Sequence, residues 1–377
     1  MTEDKASMLV LGGHGVFGTM IAEAAQAAGW TAIRSSRRPK AGFRHVDLAE
    51  PQTLEKVIDQ ADVVVSTVPD AHLVAERMVL DRGGLLINVS AMAASSAAVL
   101  RREPRPPRGT VLMNAGIAPG LTNLLAADLL ARYPEADEVE LVFTISVKGS
   151  TGPAGPHPEW LTATKRHRTT VVRLPEPFGR RRCLGIAEQH NGWLGAIAVG
   201  KTVSTYLCIF QRRMQRTLLT VNAAGLIGRL PRSAFTTTPV PEATAEPIRH
   251  WVAVRQRGTQ LAASTLRCRG DYQSAAAATV LMAGQLTSSG DPPPAGVLVP
   301  EEVLTIGELK PGLAETGITV VEEPAADRSG PALASQSRTG SRELPGRERG
   351  AVPRADSSGR WSACSSRVAD GAGAWVC

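Results

Sequence analysis

The chain has 377 residues, of which 43% are hydrophobic and 20% are charged, and its formal net charge is +7. This length favours two domains, and the hydrophobic fraction is enough for sizeable cores. The basic runs at 101–108 and 180–182 lack the interleaved aromatic residues of a base-stacking surface, so we expect solvated loops there and no nucleic-acid partner.

The cysteines form neither a CxxC pair nor a zinc-finger spacing with histidine, so we expect no metal site and a reduced, cytoplasmic protein. The acidic N-terminus runs directly into a predicted strand, which argues against a secretory signal. The apolar stretch 193–210 contains Lys201, Thr202 and Ser204, so it is expected to be a buried helix and not a membrane span.

Short apolar strands alternate with helical runs through the first ninety or so residues. Strands are predicted at 8–11, 30–34, 43–47, 62–67 and 85–89, with helices at 19–28 and 52–60. Such strands need crossover connections, so the pattern predicts an α/β fold, a Rossmann-type doubly wound parallel sheet.

A different pattern follows the strand predicted at 110–114 and the turn at 115–120. A helix is expected from Leu121, and further strands and helices after it. Strands are predicted at 138–147 and 169–174, a hairpin at 251–257 and 260–267, and helices within 194–230 and at 272–288. This mixture indicates an α+β domain with helices on one face of a mostly antiparallel sheet.

The predicted division is a dinucleotide-binding domain at 1–120, an inserted α+β substrate or dimerisation domain at 121–324, and a C-terminal tail at 325–377. The tail is rich in Ser, Gly, Arg and Ala and has almost no apolar periodicity. It cannot bury enough surface to offset its chain entropy, so we expect it to be disordered.

The first predicted strand is followed by a GxGxxG sequence that opens a helix: Gly13, His14, Gly15, Val16, Phe17 and Gly18. Gly13 is expected to allow the tight turn, Gly15 the approach of the backbone to a pyrophosphate, and Gly18 the close packing of the helix. The N-terminus of the helix would supply amides and partial positive charge to the phosphates. His14 and Phe17 are expected to be turn and packing residues within this cofactor site.

No acidic residue ends the second predicted strand, where an NAD enzyme would place one for the ribose 2′-hydroxyl. The chain has Arg34-Ser35-Ser36-Arg37-Arg38 there. Ser36, Arg37 and Arg38 can hold a 2′-phosphate through hydroxyl and guanidinium hydrogen bonds, so the predicted cofactor is NADP. The alternative is a basic loop that is merely solvated.

Ligands of open parallel sheets bind outside the carboxyl ends of the strands. Thr67, Val68 and Pro69 follow the fourth predicted strand, and Ser90 follows the fifth. By this geometry they should border the adenine ribose and the nicotinamide.

Three segments together resemble the saccharopine dehydrogenase-like reductases. They are the Gly13–Gly18 motif, the run Asn-Ala-Gly-Ile-Ala-Pro-Gly-Leu-Thr-Asn-Leu-Leu-Ala at 114–126, and Gly-Val-Leu-Val-Pro-Glu at 296–301 before Gly317-Ile318. The resemblance spans about residues 7–322. It implies a nucleotide domain, an inserted substrate domain that often forms homodimers, and hydride transfer between NADP(H) and a C=N, C=O or activated C=C bond.

Asn114 stands where family members that act on amino-acid-derived imines often have an acidic residue. Asn114 is the candidate catalytic residue, since its amide could hydrogen-bond a substrate or the carboxamide of the cofactor, although a purely structural turn is an equal alternative. His157, Lys165, His167, His190 and Tyr206 are further polar candidates, and none is assigned as the general acid.

The sequence therefore predicts an NADP(H)-dependent oxidoreductase of a small or secondary metabolite. The alternative is a non-catalytic NADP-binding protein that senses redox state or acts as a scaffold. Tight cofactor binding without turnover would distinguish the second from the first.

Overall fold

The computed structural model describes residues 5–68, 70–89, 94–146, 164–186, 194, 197–230, 246–288 and 290–323. The predicted disordered tail lies outside these residues. No helix among them is long and apolar enough to cross a membrane.

The first sheet has seven strands, all of which pair in parallel. Its order is β13-β6-β5-β4-β1-β2-β3. The strands are β1 (Ser7–Leu11), β2 (Thr31–Ser36), β3 (Arg44–His45), β4 (Val63–Ser66), β5 (Leu85–Asn88), β6 (Thr110–Leu112) and β13 (Gly296–Leu298). The helices between them are α1 (Val16–Ala27), α2 (Pro51–Ile58), α3 (Val74–Arg82) and α4 (Ala94–Arg101). The predicted doubly wound Rossmann sheet is confirmed.

The sequence explains why these strands and helices form. The strand β4 reads Val-Val-Val-Ser and is buried along its whole length, as expected for a parallel strand covered on both faces. Ile21, Ala22 and Ala25 bury one side of α1. Gly29, with φ of 88°, follows that helix in the left-handed region that favours glycine.

The second sheet also has seven strands, in the order β14-β12-β11-β7-β10-β9-β8. They are β7 (Glu138–Ile145), β8 (Thr169–Leu174), β9 (Gly179–Gly185), β10 (Thr202–Ile209), β11 (Pro247–Gln256), β12 (Thr259–Arg269) and β14 (Thr319–Glu323). Only β7 and β10 pair in parallel. The predicted hairpin is present, since Arg257 and Gly258 have φ of 49° and 78° at the turn between β11 and β12.

A shared hydrophobic core joins the two sheets. Its main helices are α5 (Leu121–Arg132) and α7 (Asp271–Ser288), whose buried residues pack with Val10 of the first sheet and Val252 of the second. The remaining helices are α6 (Arg212–Ala223), α8 (Pro300–Val303) and α9 (Ile306–Glu315). Because α7 serves both sheets, it fixes the position of one relative to the other.

The chain returns to the first sheet after building most of the second. Strand β13 pairs in parallel with β6, and Leu298 is the register partner of Leu112. The division expected at residues 120 and 121 therefore leaves out a strand that belongs to the first sheet.

Two predictions along the second sheet are wrong. The stretch 193–210, expected to be a helix, contains β10, in which Thr202, Val203 and Thr205 supply β-branched side chains that suit a strand paired with β7. The basic run 180–182, expected to be a solvated loop, lies within β9, and Arg181 is only 9% exposed. The guanidinium of Arg181 lies 5.4 Å from the ring centroid of Phe178, which allows this cation to be buried.

Candidate functional site

The glycine-rich loop connects β1 to α1 with little space to spare. An ideal Cβ on Gly18 would lie 2.2 Å from the carbonyl oxygen of Gly12, so the expected packing role of Gly18 agrees with the structure. The left-handed turn residue is Gly12, with φ of 76°, and not Gly13 as predicted. Gly13 instead lies against β2, where an added Cβ would be 3.0 Å from the Cβ of Arg34.

The N-terminus of α1 is open to an anion. Gly15 precedes the helix, no side chain caps it, and its first turn has no acidic residue. Within the part of the chain that the structure describes, no side-chain cap or first-turn acid therefore neutralises the first amides and the positive end of the helix dipole. A cradle of glycines next to such a helix start fits a pyrophosphate.

The basic run after β2 divides into two parts with different roles. Arg34 is part of the scaffold, because its Nε donates to the carbonyl oxygen of Gly13 at 2.8 Å and its Nη2 to Oγ1 of Thr19 at 2.7 Å. Arg37 and Arg38 are exposed and form no ion pair with another described residue. Their charges remain available to a ligand.

Ser36 lies at the last position of β2, is 9% exposed, and accepts a backbone hydrogen bond from Val46 at 3.0 Å. Ser35 is used internally, since its hydroxyl donates to the carbonyl oxygen of Val10 at 3.1 Å. Ser36, Arg37 and Arg38 thus occupy the carboxyl end of β2, where the 2′-position of a bound dinucleotide is read.

Phe43 is a component of this region that sequence reasoning missed. The Arg34 guanidinium lies 4.7 Å and the Lys40 ammonium 5.0 Å from its ring centroid. The His14 ring meets it edge to face at 5.5 Å. The short pairing of β2 with β3 brings Phe43 here, and its position just before β3 was the available signal.

The loops after β4 and β5 are only partly described. The hydroxyl of Thr67 donates to the carbonyl oxygen of Leu11 at 2.8 Å, which ties this loop to the end of β1. Val68 packs against the hydrophobic core on one face of the first sheet. Pro69 and Ser90 lie outside the described residues, so contact of these four residues with the cofactor stays a prediction.

Asn114 lies at the carboxyl edge of the first sheet, directly after β6. It is 7% exposed and has φ of 58°, a left-handed conformation that asparagine tolerates better than most residues. Its neighbours fix it on both sides, since the amide of Met113 donates to Leu298 and that of Ala115 to Asn88. The turn then closes so tightly at Gly120 that a Cβ there would lie 2.0 Å from the carbonyl oxygen of Gly116.

Two buried carboxyl groups that sequence reasoning missed lie near this edge. Oε1 of Glu301 accepts a hydrogen bond from Asn123 at 2.9 Å, and burial raises the pKa of Glu301 to about 7. Oε1 of Glu76 accepts from Asn88 at 2.6 Å, and burial raises the pKa of Glu76. The second carboxyl oxygen of each is buried without a hydrogen-bond partner among the described residues.

A polar cluster occupies one edge of the second sheet. We use this name for Ser146, Gln211, Glu246 and Asp271. The parallel strands β7 and β10 end just before Ser146 and Gln211, while β11 begins after Glu246 and β12 ends before Asp271, so topology collects all four at the same edge.

Hydrogen bonds organise the polar cluster. Nε2 of Gln211 donates to Oγ of Ser146 at 3.1 Å and to Oε2 of Glu246, which also accepts from the Ser146 hydroxyl. The backbone amide of Ser146 donates to Asp271, yet burial dominates and raises the pKa of Asp271 to about 7. A carboxyl group with this pKa can give or take a proton near neutral pH.

Helix α7 places the polar cluster next to the glycine-rich loop. Asp271 begins this helix, and the ring of its neighbour Tyr272 lies 4.8 Å from that of Phe17. Farther along the same helix, the hydroxyl of Thr279 donates to the carbonyl oxygen of Ala115 at 2.9 Å. One helix therefore contacts both the first turn of α1, whose amides are expected to bind phosphates, and the turn that follows Asn114.

Two other polar candidates among the described residues, His167 and Tyr206, do not reach this edge. His167 is buried, and its backbone is held by Asn222 through hydrogen bonds of 2.7 and 2.9 Å. Tyr206 lies in β10, while His157 and His190 are outside the described residues. His167 and Tyr206 instead border a cavity of about 290 Å³ near the start of β10, at the opposite end of that strand from Gln211.

The chain combines a Rossmann sheet with a mixed, mostly antiparallel sheet, and shared helices join the two. Comparisons with known proteins agree with this fold. Residues 8–101 match the family model described as the NAD dependent epimerase/dehydratase family. Comparison of the sequence with curated proteins gave no match.

Saccharopine dehydrogenase (L-Glu forming) from Saccharomyces cerevisiae is similar in structure, with 13% identity, a TM-score of 0.58, and coverage of 84% of this chain and 99% of that one. The DAP dehydrogenase of C. glutamicum in complex with DAP has 13% identity, a TM-score of 0.41, and coverage of 81% and 96%. An oxidoreductase from Sinorhizobium meliloti has 12% identity, a TM-score of 0.41, and coverage of 85% and 100%. The expected resemblance to saccharopine dehydrogenase-like proteins is thus confirmed at the level of the fold.

Proposed function

We propose that this chain is an NADP(H)-dependent oxidoreductase that transfers a hydride to or from a C=N, C=O or activated C=C bond of a small metabolite. The proposal depends on two features that lie side by side: a helix start without a side-chain cap behind a glycine cradle, and two exposed arginines after β2 that form no ion pair with a described residue. The saccharopine dehydrogenase fold and the family match over 8–101 support it.

The residues present fit NADP(H) better than NAD(H). The glycine-rich loop and the first amides of α1 would hold the pyrophosphate, and Arg37 and Arg38 would hold the 2′-phosphate. Phe43, whose ring contacts two cations and His14, would form the wall of the site beside the adenosine. When bound, the cofactor would supply the hydride chemistry, and the protein orientation and electrostatics.

The substrate would occupy the space between the glycine-rich loop and the polar cluster. Asp271 is our candidate for the group that exchanges a proton with it, because its pKa of about 7 leaves both protonation states accessible near neutral pH. This assignment fills the role of the general acid, to which the sequence analysis assigned no residue. The remaining members of the polar cluster would orient the substrate through their hydroxyl, amide and carboxylate groups.

Asn114 would act by hydrogen bonding. Its neutral amide can both donate and accept without changing protonation, so it could stabilise a carbonyl oxygen or a cofactor carboxamide. The residues before and after Asn114 are hydrogen-bonded to β13 and β5, and these bonds would keep the side-chain amide in place during turnover.

The decisive experiment has two parts. NADPH and NADH are titrated against the full chain by nicotinamide fluorescence, and NADPH oxidation is then followed with a panel of imines, carbonyl compounds and activated alkenes. We expect tighter binding of NADPH and turnover of at least one class of substrate. Tight NADPH binding with no turnover across the panel would favour the alternative function, a redox sensor or scaffold. Homodimer formation and a cytoplasmic location stay predictions.

A further inference from the structure

Two cysteines lie on neighbouring strands of the second sheet. Cys183 belongs to β9 and Cys208 to β10, and both side chains are fully buried and unbridged. The strands are antiparallel, with Leu207 opposite Leu184 and Tyr206 opposite Gly185. The next pair in this register is Cys208 and Cys183.

The hydrogen-bond pattern shows what kind of pair this is. The amide of Ile186 donates to the carbonyl oxygen of Thr205 at 2.9 Å, which marks these two as a hydrogen-bonded pair. Antiparallel pairs alternate, so Cys208 and Cys183, three positions along, form a non-hydrogen-bonded pair. Side chains approach most closely in such pairs, whose Cα atoms lie about 4.5 Å apart, within the range that a disulfide spans.

The strands separate immediately beyond the two cysteines. The amide of Ile209 donates to Oε1 of Gln215 at 2.6 Å, and Nε2 of Gln215 donates to the carbonyl oxygen of Arg182 at 2.7 Å. A side chain from α6 thus replaces the direct backbone pairing of Ile209 with Arg182. Opening is easier at the end of a ladder than within it, so this fork gives small reagents a route to the buried thiols.

We propose that Cys183 and Cys208 are a redox modification site that forms a reversible intramolecular disulfide between β9 and β10. The bond would fasten the fork and fix the end of β10, three residues before Gln211 of the polar cluster. Formation of the bond is independent of the proposed function.

Of the two sulfurs, Cys208 is the one whose pKa is lowered, so we expect it to react first. The hydrogen bond from the Cys183 thiol lowers the pKa of Cys208, and the Arg181 guanidinium acts in the same direction against the effect of burial. The same contact with Cys208, together with burial, raises the pKa of Cys183. The pair therefore holds one thiolate-forming sulfur and one protonated partner.

With hydrogen peroxide as oxidant the chemistry balances. The Cys208 thiolate attacks a peroxide oxygen, an S–O bond forms as the O–O bond breaks, and the departing oxygen takes a proton to leave as water. Cys183 then attacks the sulfenic sulfur, the S–S bond forms, and the hydroxyl leaves with the Cys183 proton as a second water. Two electrons from a small thiol reductant reverse the process.

The test uses the full-length protein treated with hydrogen peroxide, alkylated under denaturing conditions and digested without reduction. Mass spectrometry should find a peptide pair linked through Cys183 and Cys208 that disappears after dithiothreitol. Cys268, buried in β12, should be recovered alkylated and serves as the internal control. Recovery of both Cys183 and Cys208 as alkylated thiols, or their pairing with Cys364 or Cys377, would overturn the proposal.

Hydrogen exchange provides a second readout in the same protein. Oxidation should slow exchange at the amides of Leu207, Ile209 and Gln211 by at least about tenfold, since a cross-link suppresses local opening of the fork. Cys208→Ser should abolish this change, and Cys268→Ser should preserve it. Unchanged exchange in oxidised wild-type protein would also contradict the assignment, and this outcome does not depend on how well either variant folds.

Discussion

The ring of Phe17, in the first turn of α1 directly after the glycine-rich loop, lies 4.8 Å from the ring of Tyr272, at the start of α7. This contact connects the part of the chain that would bind phosphates to the part that carries Asp271. Neither residue needs to touch a substrate for the contact to matter, because it sets the distance between cofactor and polar cluster.

The cofactor preference is tested by replacing Arg37 and Arg38 with alanine. Each exposed guanidinium would form charge-assisted hydrogen bonds to the 2′-phosphate, so we expect NADPH affinity to fall about tenfold to a hundredfold. NADH lacks that phosphate, and its affinity should change little. Fluorescence titration measures both, with Arg213→Ala on α6 as an exposed arginine control. Equal losses for the two cofactors would rule out the proposed contact.

The glycine cradle is tested by Gly18→Ala. The added Cβ would meet the carbonyl oxygen of Gly12 at 2.2 Å, so the loop or the helix must shift. We expect a loss of about 1–3 kcal/mol in the free energy of unfolding and weaker NADPH binding. Gly284→Ala is the matched control, because Gly284 lies within α7 with no atom near its Cβ position, and alanine there should stabilise by up to about 1 kcal/mol. Denaturant unfolding compares the two, and equal effects would exclude the steric explanation.

The first sheet and its helices could be predicted from the sequence because their signals are local. A buried strand, a glycine turn and a helix follow one another within β1 and α1, and the absence of an acid after β2 is visible without any tertiary information. The turn residue was still misplaced by one position, because three of the four residues 12–15 are glycine and only the backbone shows that Gly12 has the positive φ.

The second half could not be predicted to the same depth, since its site depends on strand order. Gln211 and Asp271 are sixty residues apart in the sequence. They lie at the same edge of the sheet because β10 is parallel to β7 while β12 is antiparallel to β11. The stretch containing β10 is also apolar enough to resemble a buried helix, and its pairing with β7 shows that it is a strand. Arg181 is a second example. It lies in a strand against the ring of Phe178, but the sequence around it reads as a basic loop.

Glu301 predicts a pH-dependent stability. Burial raises its pKa from the ordinary 4.5 to about 7, so the folded protein binds this proton more tightly than the unfolded chain does. The free energy of unfolding should therefore fall as pH rises from about 4.5 to above 7, by at most about 3 kcal/mol for this group. Glu301→Gln keeps an acceptor for Asn123 and stays neutral, so its stability should decline less over this range. Denaturant unfolding at several pH values measures the difference, and Glu315→Gln, at an exposed position at the end of α9, serves as the control.

Asn114 is tested most sharply by Asn114→Gly. Alanine would add strain at φ of 58°, whereas glycine accepts that conformation and removes only the side chain. If the amide stabilises charge in the transition state, turnover should fall by about 2–4 kcal/mol, or roughly a hundredfold to a thousandfold. NADPH affinity should stay within a few-fold of the native value. Native turnover in Asn114→Gly would leave the residue with the purely structural role of a turn.

Asp271→Asn tests the proposed proton exchange directly. Asparagine can still accept the hydrogen bond from the Ser146 amide and suits the start of a helix, so the fold and NADPH binding should be retained. An amide cannot give or take the proton, so turnover in the reductive direction should fall by about a hundredfold or more. The pH profile is the more specific readout. In the native protein Asp271 must be protonated to act as an acid, and kcat/KM should decline as pH rises through about 7. In Asp271→Asn the residual activity should lose that decline, while the exposed Asp291→Asn should keep both the native rate and the native profile. A purely structural Asp271 would lower activity without altering the pH profile, and that outcome would reject its role as the proton donor.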